Sequence, residues 1–195
     1  TVINHSKSVR LGVNKSLMVV DMPFNTYATK KSALKNAKKI IKETKCDAVK
    51  LEGGKKIVNQ IKLLIKNKIP VMGHLGLLPQ STKGKFKSKG KTAKEIKQLI
   101  SDALLLQKNG VFAIVLECIK TPIAKQITKN LDIPTIGIGS SVHCDGQILV
   151  TDDLVGLTNS KIRFVKKYTN ISNNIAKAVK KFKQEVKLKK YPTKK

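Results

Sequence analysis

AVKLEGGKKIVNQIKLLIKNKIPVMGH, residues 48–74, holds one complete structural unit. In Ala48–Glu52, Val49 and Leu51 alternate with Lys50 and Glu52, which is the period of a strand. Gly53-Gly54 ends it. Ile57, Val58, Ile61, Leu64 and Ile65 then recur at helical spacing. The chain becomes extended again at Pro70–His74, with Pro at the first position, where a missing N–H is tolerated. Strand, helix and strand follow each other within about thirty residues, the length of a parallel βαβ unit.

The same rhythm extends to both sides. Upstream, a strand at Leu17–Asp21 (LMVVD) precedes a helical stripe of Ala33, Leu34, Ala37, Ile40 and Ile41, and residues 1–16 read as the end of a helix that stops at Gly12. Downstream, the Gly-, Ser- and Lys-rich stretch Leu75–Lys91 is a long loop. Thr92 and Glu95, at capping-box spacing, open a helix that closes at Gly110. A fourth strand follows at Phe112–Glu117, then a short helix opened by Thr121-Pro122, a fifth strand at Pro134–Gly139 and a sixth at Gln147–Val150. A basic amphipathic helix from about Ile171 to Val186 and a Lys-rich tail over 187–195 finish the chain.

Strand and helix alternate six times, which predicts a parallel α/β architecture in one domain over residues 1–195. An open doubly wound sheet and a closed barrel compete. The dinucleotide-binding version has little support: the nearest glycine turn, Gly137-Ile138-Gly139, lacks a helix-opening Gly after it. A (β/α)8 TIM barrel takes eight units and ~250 residues. Six units in 195 residues have the density of a barrel lacking about its first two βα units. The first methionine is Met18, inside a strand, so residues upstream of Thr1 are expected to be missing.

Composition narrows the function classes. A hydrophobic content of 41% beside 27% charged residues fits a globular domain, and no apolar run approaches the ~18 residues of a membrane span. The N-terminus has no apolar block of the signal-peptide kind. Cys46, Cys118 and Cys144 are odd in number and share no Cys-x-x-Cys spacing, which reads as reduced thiols in a cytoplasmic protein. The formal charge of +28 invites a nucleic-acid reading. Two features oppose specific recognition: all basic residues except Arg10 and Arg163 are Lys, and aromatics reach only 4%. Non-specific attraction to polyanions is the expectation.

Chemistry concentrates where the strands end. Asp21 ends the first, Lys50 and Glu52 lie on the second, His74 ends the third and Glu117 the fourth. In a parallel barrel those ends share one face, the face that carries barrel active sites. Alone, Asp21 or Glu52 could cap a turn or pair with a Lys, and His74 could be a hydrogen-bonded structural residue. Together, the carboxylates suit a hard cation such as Mg²⁺. Lys50 should face the barrel interior, opposite to Val49 and Leu51. Glu117, after five apolar residues, is the candidate for a buried carboxylate with a raised pKa, as a general base requires.

These strand ends resemble those of the ketopantoate hydroxymethyltransferase family. The resemblance lies in Asp21-Met22-Pro23-Phe24, Val49–Gly54, Gly73–Gln80, Leu116-Glu117-Cys118, Ile136–Gly139 and Asp145–Val150, in order along nearly the whole chain. It implies a (β/α)8 barrel assembled as a homo-oligomer, a decamer in the family. It implies Mg²⁺ at Asp21 and Glu52, with α-ketoisovalerate chelating the ion close to Asp21, Lys50 and His74. Glu117 is then the base that takes a proton from the third carbon. 5,10-Methylenetetrahydrofolate is the co-substrate that supplies one carbon, giving ketopantoate for pantothenate and coenzyme A synthesis.

The sequence also departs from the family pattern. An Asp-Ser pair that the family carries on its second strand has no counterpart. Leu78 stands at a usual Thr, Ser140-Ser141 at a small-residue Ala-Gly pair, and Asp152 at a usual His. The loop keeps the family's glycine and aromatic pattern in Gly84, Phe86 and Gly90. Other Mg²⁺-dependent α-keto-acid barrels, of the phosphoenolpyruvate mutase and isocitrate lyase kind, fit less well, because the loop has no Cys. An inactive, polyanion-binding remnant is the non-enzymatic alternative.

Overall fold

In the computed structural model, which describes residues 1–82, 87–158 and 162–193, six parallel strands follow one another in chain order. They are β1 (Val19–Asp21), β2 (Ala48–Glu52), β3 (Val71–Gly76), β4 (Ala113–Glu117), β5 (Thr135–Ile138) and β6 (Gly146–Gln147). The crossovers carry α2 (Lys30–Thr44), α3 (Val58–Lys66), α4 (Ala93–Lys108) and α5 (Thr121–Lys129), and α1 (Val2–Gly12) precedes the sheet. Each strand pairs with the next in sequence, and parallel crossovers are right-handed, so every connecting helix falls on the same face of the sheet. That is barrel winding; a doubly wound sheet reverses direction at a switch point.

The register decides which residues meet the helices. Val49 pairs with Val71, Gly73 with Leu51 and Ile114, and Leu75 with Leu116, all on one face. These side chains are buried against Ala33, Ala37 and Ile40 of α2, Ile61 and Leu64 of α3, Ala103 and Leu106 of α4, and Ala124 and Ile127 of α5. A fully buried Leu or Ile contributes roughly 1.5–3 kcal/mol, so this layer carries most of the stabilisation. The opposite face presents Asp21, Lys50, Glu52, His74 and Glu117, one after another along the register.

Local signals end the elements as expected. The Thr92 hydroxyl accepts from the Glu95 N–H at 3.2 Å, and the Glu95 carboxylate reaches back to the Lys91 N–H at 2.9 Å. Thr29 and Ser32 form a reciprocal capping box at the start of α2. Asp102 of α4 accepts from the Lys55 N–H at 2.9 Å, tying α4 to the turn that leads into α3. Asp47 does the same for the start of β1, accepting from the Met18 N–H at 2.8 Å.

The contacts divide the chain into two units, Thr1–Gln147 and Ile148–Lys195. The second contains α6 (Thr151–Leu154) and α7 (Ile171–Lys187). Hydrogen bonds from the Tyr168 and Ile171 N–H groups to Leu154 O and Val155 O hold it together, at 2.9 and 3.0 Å. The Asn170 side chain caps α7 by accepting from the Asn173 N–H, and Phe182 meets Tyr191 edge to face.

The sixth strand differs most from expectation. The sixth, read as Gln147–Val150, is only Gly146–Gln147, paired with Ile136 and Gly137. Val150 is already the N-cap of α6, so the apolar run 148–150 leads into a helix instead of extending the sheet. The third strand runs on to Gly76, two residues past His74. Gly84 and Phe86, in the loop pattern, lie outside the described residues. No helix among the described residues is long and apolar enough to cross a membrane.

Candidate active site at the strand ends

Parallel pairing sets the five expected side chains on neighbouring strands. Asp21 is in register with Lys50, Glu52 with His74, and Gly76 with Glu117. Lys50 Nζ lies 3.1 Å from Asp21 Oδ2 and 2.8 Å from His74 Nδ1. His74 Nε2 lies 3.2 Å from Glu117 Oε2 and 2.9 Å from Leu77 O. Asp21, Lys50, His74 and Glu117 thus form one continuous polar chain across four adjacent strands. Sequence reasoning placed all four at strand ends, and the structure brings them together.

Burial grades along this chain. The Asp21 side chain is 53% exposed, Lys50 12%, His74 3% and Glu117 14%. A nearly buried ammonium is costly unless paired, and Lys50 has both a carboxylate and the imidazole Nδ1 within reach. The pair with Asp21 sits at the wet end, where ion pairs contribute only about 0–1 kcal/mol, so it orients Lys50 more than it stabilises the fold.

Glu52 is the most buried carboxylate of the group. It is 7% exposed, and its Oε2 accepts from the Gln80 N–H at 3.2 Å. Burial pushes its carboxyl pKa up; the His74 ring, the Lys50 charge and the Gln80 N–H oppose this, and Asp21 adds to it. Sequence reasoning looked to Glu117 for the buried carboxylate, yet burial is deeper at Glu52, because the loop after β3 folds back over it through Gln80.

Two neighbours were missed. The Tyr27 hydroxyl accepts from the Glu52 N–H at 3.3 Å, and burial raises the phenol's pKa. The Gln80 Nε2 donates to Met22 O at 3.2 Å, while its Oε1 is buried without a partner among the described residues. Gln80 lies within the Gly73–Gln80 motif, so a signal existed for it. Tyr27 lies in a turn with no periodicity to mark it.

A model of the ketopantoate hydroxymethyltransferase family matches residues 1–194. The chain belongs to that family. It is 64% identical over 193 residues to the 3-methyl-2-oxobutanoate hydroxymethyltransferase of Pelagibacter ubique strain HTCC1062, covering 99% of this chain and 75% of that relative. It is 48% identical over 197 residues to the protein of the same name from Acetivibrio thermocellus, covering 99% and 70%. Among solved structures, the carboxyl transferase domain of Rhizobium etli pyruvate carboxylase with 3-bromopyruvate aligns at a TM-score of 0.51 and 11% identity, over 69% of this chain and 24% of that one. That likeness speaks for the fold alone.

The donors here fit the hard divalent cation that the ketopantoate hydroxymethyltransferase resemblance implies. Mg²⁺ characteristically takes one or two carboxylates and completes its shell with water and substrate oxygens. Asp21 and Glu52 supply two carboxylates from neighbouring strands, and the orphaned Gln80 Oε1 is an acceptor suited to a coordinated water. Among the described residues, no three His, Cys, Asp or Glu side chains are grouped so that they could hold a metal ion by themselves.

Proposed function

We propose that this chain carries the hydroxymethyl transfer of its family: a one-carbon unit passes from 5,10-methylenetetrahydrofolate to α-ketoisovalerate, giving ketopantoate. The observation that carries the reading is the run Asp21–Lys50–His74–Glu117, which holds a carboxylate base and an ammonium on one face of a parallel sheet. In this reading the sheet is part of a (β/α)8 barrel, in a cytoplasmic homo-oligomer.

Asp21 and Glu52 would hold Mg²⁺, which when bound supplies Lewis-acid stabilisation of the negative charge developing on the 2-oxo oxygen. Lys50, nearly buried, offers a positive charge to the substrate carboxylate beside Asp21. Glu117 takes the proton from the third carbon. The nucleophilic carbon left behind forms a bond to the folate's methylene carbon; both C–N bonds of that carbon break, water supplies the hydroxyl oxygen of the product, and the two folate nitrogens take up one proton each, leaving tetrahydrofolate. Leu77 N–H donates to Glu117 O at 2.8 Å and Lys89 N–H to Cys118 O at 2.8 Å, so the backbone on which the base stands is fixed from two sides. A base held in position in this way contributes typically 10²–10⁴-fold to rate.

The test is product formation. Ketopantoate should appear when the chain is given α-ketoisovalerate, 5,10-methylenetetrahydrofolate and Mg²⁺, stop on chelation, and resume when Mg²⁺ is restored. A folded chain that forms no ketopantoate under these conditions would contradict the reading.

A further inference from the structure

Where β1 and β2 part, two side chains occupy the next rung of their ladder. Parallel strands bond in alternation, and Met22 N–H donates to Lys50 O at 3.0 Å. The next rung in that series runs from Glu52 N–H to Met22 O. Among the described residues it is not made. Glu52 N–H donates instead to the Tyr27 hydroxyl at 3.3 Å, and Met22 O accepts from Gln80 Nε2 at 3.2 Å. Because Met22 O is an acceptor, only the NH2 end of the Gln80 amide can meet it.

Both side chains are anchored outside the gap. Tyr27, 9% exposed, belongs to the turn after β1, where Gln60 Nε2 of α3 donates to Tyr27 O at 3.3 Å and to Ala28 O at 3.2 Å. Asn36 of α2 grips the same turn, donating to Thr26 O at 2.7 Å. Gln80 belongs to the loop after β3, and its own N–H donates to Glu52 Oε2 at 3.2 Å. The opened rung therefore lies between Glu52 and the residue that follows Asp21.

Resting on the reading of Asp21 and Glu52 as the Mg²⁺ pair, we infer that Tyr27 and Gln80 are positioning residues that hold the ends of β1 and β2 apart and so set the spacing of the two carboxylates. Strands joined by a closed rung lie about 4.8 Å apart, and a side chain on each half of the rung prevents that approach. Mg²⁺ demands near-ideal octahedral geometry with oxygens at about 2.0–2.1 Å, so the spacing of its carboxylates governs affinity. Gln80 acts twice: its amide opens the rung, and its N–H aims the Glu52 carboxylate.

The experiment compares the full parent chain with Tyr27→Phe, Gln80→Met and the double variant, all of which keep the bulk of the side chains. Each single change strands one buried backbone group, Glu52 N–H in the first and Met22 O in the second. Losing one partner of a buried pair is costly, whereas losing both can be nearly neutral. In the double variant the two stranded groups can bond each other and close the rung. Denaturant midpoints should therefore fall in each single variant, and the double variant should lie above the value that summing the two losses gives. Calorimetric titration with Mg²⁺ alone should move the other way: the double variant, although its stability recovers, should bind about 10–100-fold more weakly than the parent.

A merely structural role would let affinity recover along with stability. Strictly additive losses in folded variants would mean that the two side chains do not share a rung, and would overturn the inference. A double variant that binds Mg²⁺ as tightly as the parent would overturn the spacing role. A folded parent that binds no Mg²⁺ would instead remove the metal reading, and the spacing role with it, even if the stabilities show the shared rung.

Discussion

Glu52 is the residue whose burial has the most direct thermodynamic consequence. Its folded pKa is raised, chiefly by burial, so the native chain holds this proton more tightly than the unfolded chain does. Without metal, stability should fall as pH rises from the ordinary carboxylate value of ~4.3 through the raised folded value, and the penalty is complete above it. Glu52→Gln removes the charge and keeps the shape. Its melting temperature in chelator should exceed that of the parent at pH 7–8, and the gap should close below about pH 4. Added Mg²⁺ should raise the melting temperature of the parent and leave that of Glu52→Gln unchanged, since a ligand stabilises only the state that binds it. Thermal scans across pH, with and without Mg²⁺, check both outcomes. At this scale the sequence was informative for charged strand ends, marked Gln80 only as the last residue of the Gly73–Gln80 motif, and was silent on Tyr27. Asp21, Lys50, His74 and Glu117 announce themselves by breaking apolar runs. Tyr27 and Gln80 act through loop conformations, which leave no period.

The β3 end and the α4 start depend on single residues that can be tested. Gly76 has φ of +99°, and a Cβ there would collide with the Glu117 carbonyl oxygen and lie 2.7 Å from the Ile119 side chain. Gly76→Ala forces β3 away from β4 beside Glu117. It should lower stability by about 1–3 kcal/mol in denaturant titrations, the usual cost of a non-glycine residue in a strained backbone region plus a clash. Thr92→Ala deletes the N-cap of α4 and should cost about 1 kcal/mol in the same titrations, without affecting the strand-end site. Elements with strong local chemistry were legible: α4 from Thr92 to Gly110, α5 from its Pro122, and β2 from its alternation. β6 was misjudged because the three-residue apolar run 148–150 has no decisive period, and here its last residue serves a helix. The extension of β3 to Gly76 was hidden because Leu75 and Gly76 look like the start of a loop, while their pairing with Leu116 and Glu117 makes them strand.

The whole molecule has two properties that no element shows. The first is its charge: 40 Lys and Arg against 12 Asp and Glu give +28. Arbitrary DNA should bind weakly and without sequence preference, with affinity falling steeply between about 50 and 200 mM salt. Fluorescence anisotropy with two unrelated duplexes measures this; a strong preference for one would contradict it. The second is the winding of the sheet, in which consecutive parallel pairing turns one face to the helices and leaves the other for chemistry. Six alternating units in the sequence left a doubly wound sheet and a barrel in competition, and the absent dinucleotide-binding turn favoured the barrel; its winding is what lets residues nearly a hundred positions apart, Asp21 and Glu117, belong to one site. The central claim is that this site draws a proton from the third carbon of α-ketoisovalerate. The direct measurement is loss of that proton's NMR signal in D₂O, with Mg²⁺ and without folate. The account predicts exchange by the parent chain, none in chelator, and a rate lowered at least about 10²-fold in folded Glu117→Gln. Equal exchange by parent and Glu117→Gln, or none from a folded, Mg²⁺-supplied parent, would contradict it.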